Sequence, residues 1–160
     1  MINLRSRAFT LIELVVVVGI LAALLAIVLV AINPARQFAQ ANNTQRRSDV
    51  NAILNAIHQY AADNQGALPT GIDTTVRTIC MPVASCAANA VDLCAILTPT
   101  YIADLPRDPS SGSITGGSTC ATATAYNTGY TVVSTGSTAG NRITVSAPSA
   151  ELGETISVTR

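Results

Sequence analysis

Hydrophobic residues follow three different patterns along the chain, and the first is an unbroken apolar run. From Leu11 to Ile32 every residue is uncharged except Glu13. A helix of that length, at about 1.5 Å per residue, reaches about 33 Å and can cross a bilayer. The run therefore predicts a membrane-spanning helix that carries one carboxylate near its start.

Beyond Pro34 the apolar residues recur at helical spacing. We name this set the apolar stripe; it consists of Val50, Ile53, Leu54, Ile57, Tyr60 and Ala61. Such spacing is typical of a helix with one buried face. Gly66, with Pro69 beyond it, predicts the end of the helix. We therefore expect helix from Phe9 to about Asn64, and the pattern leaves open whether it breaks near Pro34.

Alternation of apolar and polar residues marks the third pattern, close to the end of the chain. It predicts strands at 129–134, 142–147 and 155–159, which form an antiparallel sheet with one buried face. Residues 66–100 are loop-rich, with a short helix at 92–97, and residues 110–125 are a polar surface loop. The predicted fold class is α+β: a long N-terminal helix, with a transmembrane half and an amphipathic half, packed on a small antiparallel sheet.

The four cysteines all lie after the apolar run. Because they are even in number and belong to a small domain with few aromatic residues, they predict two disulfides formed outside the cytoplasm. Zinc is the alternative, but no C-x-x-C pair is present and His58 is the one histidine. Spacing does not choose among the three possible pairings of Cys80, Cys86, Cys94 and Cys120.

Charge and composition exclude several classes of function. A formal net charge of zero argues against nucleic-acid binding through bulk electrostatics. No set of residues resembles a catalytic site, so we expect neither an enzyme nor a bound cofactor.

The N-terminal end has the features of a targeting segment. Arg5 and Arg7 precede the apolar run, and that run is longer than the 7–15 residues of an ordinary secretory signal. A plain membrane anchor fits the length but leaves Glu13 unexplained, since a charge in hydrocarbon is costly without a partner. The cysteines place the C-terminal part outside the cell and therefore the leader in the cytoplasm.

The segment A-F-T-L-I-E-L-V-V-V-V-G-I-L-A, preceded by this basic leader, resembles the cleavage and assembly motif of type IV pilins and pseudopilins. The resemblance implies that a membrane prepilin peptidase cuts between Ala8 and Phe9 and methylates the new amino terminus. Ala8 stands where the family usually has Gly. Glu13 becomes the fifth mature residue, and it neutralises the amine of Phe9 on its own or a neighbouring subunit. The run Leu105-Pro106-Arg107-Asp108-Pro109 resembles the loop before the sheet in bacterial pilins and the major pseudopilin of type II secretion.

Pseudopilins that resemble this chain can bind calcium in their C-terminal domain. The resemblance therefore makes Asp104 and Asp108 candidates for a calcium site. Turn and capping roles are favoured for both, because no dense acidic loop surrounds them.

Four regions are therefore expected. They are a cleaved leader at 1–8, a transmembrane and assembly helix at 9–33, its amphipathic continuation at 34–64, and a disulfide-stabilised globular domain at 65–160 with a three-stranded sheet. Cleavage leaves seven arginines and nine acidic residues, a formal charge of −2. We expect Arg36, Arg46 and Arg47 to lie near the membrane–water interface or the filament interior. Interfacial anchoring is the simpler role for them, and the alternative hypothesis is that one of them pairs with an acid of an adjacent subunit.

The expected function is that of a pilin, which enters the cytoplasmic membrane as a precursor and then polymerises into an extracellular filament. Its expected partners are its own copies, the prepilin peptidase, and the assembly platform and motor that the resemblance implies. Small residues at Gly19, Ala22, Ala23 and Ala26 allow close helix packing. The alternatives are a pseudopilin of a type II secretion or DNA-uptake system, and a monomeric membrane-anchored binding domain.

Overall fold

A computed structural model describes residues 9–82, 86, 89–136 and 141–160. The chain divides into two compact units, Met1–Phe38 and Ala39–Arg160. The predicted leader, including Ala8, lies outside the described residues. Each unit is therefore considered by itself.

The first unit contains helix α1, which spans Leu11–Ile32. Asn33 follows in a left-handed conformation, with φ 47° and ψ 80°. Helix α2 begins directly at Pro34, and the N–H of Arg36 lies 3.1 Å from the Asn33 carbonyl oxygen. Proline suits a first helical position because its missing N–H would have no partner there. The break that the sequence left open therefore falls at Asn33.

Helix α2 spans Pro34–Asp63 and ends close to the predicted stop. The N–H of Gly66 donates to the carbonyl of Ala61 at 2.7 Å, across two left-handed residues, Gln65 (φ 56°) and Gly66 (φ 86°). This hydrogen bond satisfies a carbonyl in the last turn of the helix. Gly66 adopts a positive φ without the steric cost that a Cβ would bring.

The second unit contains a six-stranded sheet, where the sequence predicted three strands. Its strands are β1 (Arg77–Met81), β2 (Ala90–Val91), β3 (Ser113–Thr115), β4 (Ala125–Ser134), β5 (Ile143–Ala147) and β6 (Ile156–Thr159). The strand order is β2-β1-β4-β5-β6, and β3 pairs with β4. The β1–β2 pair is parallel and the other pairs are antiparallel.

The three predicted strands correspond to β4, β5 and β6, and the expectation of a sheet with three strands was wrong. Strand β1 follows a loop-forming stretch and has no apolar–polar alternation, since Ile79 and Cys80 are both buried. Strands β2 and β3 have two and three residues, too few to show a period. Pairing with longer neighbours, rather than their own sequence, makes these segments strands.

The core of the second unit lies between α2 and the sheet. Val50, Ile53, Leu54 and Ile57 of the apolar stripe are fully buried. They belong to one cluster with the sheet residues Tyr130, Val132, Ile143 and Val145. Each such side chain contributes about 1.5–3 kcal/mol on burial. The α+β fold predicted from the sequence is therefore confirmed, and it is consistent with a pilin-like fold.

Two disulfides form in this unit, and each joins a strand or helix residue to a loop residue. Cys80 pairs with Cys86, and Cys94 pairs with Cys120. Cys94 begins a short helix, α3 (Cys94–Leu97), inside the region where a short helix was predicted. The structure thus supplies the pairing that spacing alone could not.

Candidate functional site

The start of α1 is fixed by hydrogen bonds between Thr10 and Glu13. The backbone N–H and the hydroxyl of Thr10 donate to Glu13 Oε2 at 2.9 and 2.8 Å, and the N–H of Glu13 donates to Thr10 Oγ1 at 3.2 Å. This reciprocal arrangement is a capping box, and a carboxylate at a helix N-terminus also interacts favourably with the helix dipole. Glu13 is therefore held in the first turn, four residues after Phe9.

Sequence reasoning missed the role of Thr10, although its signal was present. Threonine followed three residues later by glutamate, before an apolar run, is the pattern of a capping box. Phe9 is 87% exposed, at the end of the described segment. The predicted processing at Ala8 and Phe9, and the pairing of Glu13 with the processed amine, stay predictions.

The surface of α1 is apolar on all sides. The stretch Leu11–Leu29 has a mean hydropathy of 3.1 and no buried residue, and it is the one helix among the described residues that is long and apolar enough to cross a membrane. At Gly19 an added Cβ would meet nothing within 4 Å. A helix that is apolar all round requires lipid or other apolar helices around it.

Arg46 occupies a different place from the predicted one. Instead of lying at a membrane interface or facing another subunit, its side chain is 0% exposed and pairs with Asp108 of the same chain. Arg46 Nε donates to Asp108 Oδ2 at 2.7 Å, and Nη2 donates to Oδ1 at 3.3 Å. The spacing carried a signal, because Arg46 precedes Val50 by four residues and Ile53 by seven and so shares the face of the apolar stripe.

Asp108 also closes the turn that follows it. Its Oδ1 accepts the N–H groups of Ser110 and Ser111, each at 2.9 Å. Burial alone would raise the pKa of Asp108, but the hydrogen bonds from Arg46 and from these N–H groups outweigh burial and lower the pKa below its usual value. Gly129 of β4 lets this turn approach, because a Cβ there would lie 2.8 Å from Asp108 Cβ.

The loop between β5 and β6 binds the same part of α2. Asn43 exchanges two hydrogen bonds with the backbone of Glu151: its Nδ2 donates to the carbonyl at 2.9 Å, and its Oδ1 accepts the N–H at 3.0 Å. The Glu151 carboxylate lies 3.3 Å from Arg46 Nη1 and accepts from Asn42. Arg47 pairs with Glu154, so two of the three arginines considered for interfacial or intersubunit roles are engaged within their own chain.

Besides Asp108, a second carboxylate is buried here: that of Asp49, which lies on α2 about one turn after Arg46. Asp49 Oδ2 accepts the hydroxyl of Tyr130 at 2.7 Å, and Oδ1 accepts Gln45 Nε2 at 2.7 Å. Burial raises the pKa of Asp49, and these two hydrogen bonds offset that effect in part. We name the buried set Asn43, Arg46 and Asp49, with its partners Asp108, Tyr130 and Glu151, the polar seat.

The remaining candidate residues are Asp104 and His58, and neither belongs to a group of described side chains arranged for catalysis. Asp104 accepts the N–H of Cys120 at 2.9 Å, in the capping role favoured from sequence. His58 lies on α2 at a groove lined by Asn55, Gln59, Ala62 and Arg160. Within the described residues no group of three or more His, Cys, Asp or Glu side chains could hold a metal ion. Calcium binding at Asp104 and Asp108 stays a prediction.

The N-terminal segment matches a known family model. Residues 3–29 match the prokaryotic N-terminal methylation motif. The chain therefore carries the prepilin-like signal of type IV pilins and pseudopilins, and the resemblance found in the sequence is confirmed. No curated protein and no solved structure gave a significant match.

Proposed function

We propose that this chain is a structural subunit of a type IV pilus, processed before Phe9 and polymerised through α1 into a filament outside the cell. One observation carries the proposal: the methylation motif at 3–29 coincides with an exposed helix, apolar on all sides, in which no residue from Leu11 to Leu29 is buried. Lipid surrounds this surface in the precursor, and the helices of other copies surround it in the filament.

Two further observations support a structural role. The family of the motif is generally non-enzymatic, and the described polar clusters are occupied by internal hydrogen bonds rather than arranged around an open cavity. Glu13 and the processed amine of Phe9 supply opposite charges that fix the register between neighbouring helices. The prepilin peptidase and an assembly platform with its motor follow as partners.

The decisive measurement is the intact mass of the protein isolated from cells, combined with sequencing of its amino terminus. We expect a chain that begins at a methylated Phe9 and lacks residues 1–8. A mass that includes the leader would overturn both the pilin and the pseudopilin readings and leave a membrane-anchored binding domain.

Imaging distinguishes the pilin hypothesis from the pseudopilin hypothesis. With antibody to the globular domain on intact cells, we expect extended surface fibres that contain this chain. Processed protein confined to the cell envelope, with no surface fibre, would assign it to a secretion or DNA-uptake machine instead.

A further inference from the structure

The face that α2 buries in the second unit changes character along the helix. From Ala39 to Asp49 no apolar side chain is larger than alanine, and the buried residues are Asn43, Arg46 and Asp49. From Val50 to Ile57 the buried residues are all apolar. The helix is therefore attached to its unit by two consecutive zones of different chemistry.

Separating α2 from the rest of its unit has a different free-energy cost in the two zones. Opening the apolar zone would expose the core to water, which is the main cost of unfolding. Opening the polar seat returns charged and amide groups to water, where hydration replaces much of what the internal hydrogen bonds supplied. The polar zone therefore opens at the lower cost, although its contacts are short and numerous.

The attachments of the polar zone also come mainly from loops. Asp108 belongs to a turn before β3, and Glu151 and Glu154 belong to the β5–β6 loop. Tyr130 is the sheet residue that reaches this zone, at its last position, Asp49. Five of the eleven residues in 39–49 are Asn, Thr, Ser or Asp, which favour helix less than alanine does. Because most helical stability in proteins comes from packing of a buried face, the segment loses part of its helix once it is released.

We propose that residues 39–49 are a releasable segment of α2, which detaches from the two loops as a unit while residues 50–63 stay packed on the sheet. The release is a property of the folded second unit. The role of this release in the cell rests on the proposed function. In a filament subunit held by α1, a pulling force on the filament reaches the second unit through Ala39. The hydrogen bonds and ion pairs of the polar seat then break before the apolar core opens.

Amide hydrogen exchange tests the release directly, measured by NMR on the full chain as a monomer in detergent micelles. The N–H of Glu151 reports the segment, because it donates to Asn43 Oδ1, and the N–H of Ile143 reports the sheet, because it donates to the carbonyl of Arg160. We expect protection at Glu151 and at residues 43–49 to be at least about tenfold lower than at Ile143.

Two variants and a control assign the opening to the polar seat. Glu151→Gln removes a charge that faces Arg46, and it should lower protection in 43–49 while leaving Ile143 unchanged. Asp73→Asn, which breaks the exposed Asp73–Arg77 pair elsewhere in the unit, should change neither. Arg46→Met combined with Asp108→Leu replaces buried charge by apolar side chains and should raise protection in 43–49 towards that of Ile143.

Equal protection at Glu151 and Ile143, or an equal loss at both in Glu151→Gln, would overturn the proposal. If the double variant does not fold, Glu151→Gln decides alone. Because the chain is measured unpolymerised, the outcome is independent of filaments: a chain that forms none would overturn the proposed function and leave the exchange result standing.

Discussion

Glu13 and Arg46 are both charged residues of helices whose partners satisfy them, and they differ in where those partners lie. Glu13 is satisfied by Thr10, three residues away on the same turn. Arg46 is satisfied by Asp108, 62 residues away, in a turn that packs against β4. A local partner is visible in the sequence as a motif, whereas a distant partner becomes visible when the fold brings two segments together.

The two charged side chains also differ in how many of their hydrogen-bonding and ion-pair partners come from the same chain. Arg46 is fully buried and has charged or polar partners on most of its donors. Glu13 is exposed on α1, a helix with no buried residue between Leu11 and Leu29. In the proposed function, the amine of Phe9 completes the site of Glu13 during assembly. Changes at Glu13 should therefore affect polymerisation, and changes at Arg46 should affect folding.

The largest expected effect is on filament assembly in Glu13→Ala. Removing the carboxylate leaves the amine of Phe9 without its partner, and a loss of about 1.4 kcal/mol at each subunit contact lowers its association constant about tenfold. We therefore expect the filament yield to fall by at least about tenfold. Membrane insertion should persist, because the segment loses a charge. The measurement compares sheared surface filaments with the membrane fraction.

Glu13→Gln is the matched control, since its amide oxygen can still accept from Thr10. If the charge matters, Gln fails as Ala does; if the capping box alone matters, Gln assembles normally. Normal filaments from Glu13→Ala would remove the assembly role of this residue.

Arg46→Ala should have the largest effect on folding. It leaves Asp108 buried without its cation, at an expected cost of about 3–5 kcal/mol in the free energy of unfolding. Urea unfolding of the full chain in detergent measures it. Arg77→Ala breaks the exposed pair with Asp73 and should cost about 1 kcal/mol or less. Equal losses in the two variants would contradict the importance of the buried pair.

The Cys94–Cys120 disulfide closes the loop that contains Asp108. Replacing both cysteines by serine should lower the free energy of unfolding by about 3 kcal/mol. Because the freed loop positions Asp108 less well, the loss should combine non-additively with that of Arg46→Ala. Losses that add within about 0.5 kcal/mol would show that the disulfide does not position the buried pair.

The smallest expected effect is the pH dependence that Asp49 imposes. Its pKa is raised by burial, so the folded chain binds a proton at higher pH than the unfolded chain does, and stability rises as pH falls from neutral through that pKa. Asp108, whose pKa is lowered, acts oppositely: its contribution is present above the unfolded pKa and is lost at still lower pH. Stability should therefore be greatest on the acid side of neutral.

Unfolding measured across this pH range in Asp49→Asn should show a flatter rise between neutral and mildly acidic pH. Gln59→Ala, an exposed change on the same helix that alters no titratable group, should keep the slope of the original chain. An unchanged slope in Asp49→Asn would assign the pH dependence to another group.

Much of the architecture could be predicted because its determinants are periodic and local. The apolar run gave α1, the apolar stripe gave the buried face of α2, and alternation gave β4, β5 and β6. Strand β4 is longer than predicted because Gly129, which suggests a strand end, serves here as a point of close approach for the Asp108 turn. Strands β1, β2 and β3 were missed because neighbours, rather than composition, define them.

The candidate sites divide in the same way. The motif around Phe9 and Glu13 was recognisable from contiguous residues, and the capping box of Thr10 could have been. The polar seat could not have been assembled from sequence, because Asn43, Arg46 and Asp49 find their partners in segments 62 to 108 residues away. Spacing places Arg46 on the face of the apolar stripe, but neither charge count nor spacing identifies the distant partners of these residues.

Asn33 has a practical consequence for producing the protein. It ends α1 and, through its carbonyl and Oδ1, also accepts the N–H of Arg36 at the start of α2. The second helix therefore has its own cap and does not depend on the preceding turn for its first hydrogen bonds. A shortened chain that starts at Asn33 should still initiate α2 correctly, and it lacks the apolar helix α1. Asn33 is therefore a suitable first residue for a water-soluble version of the protein.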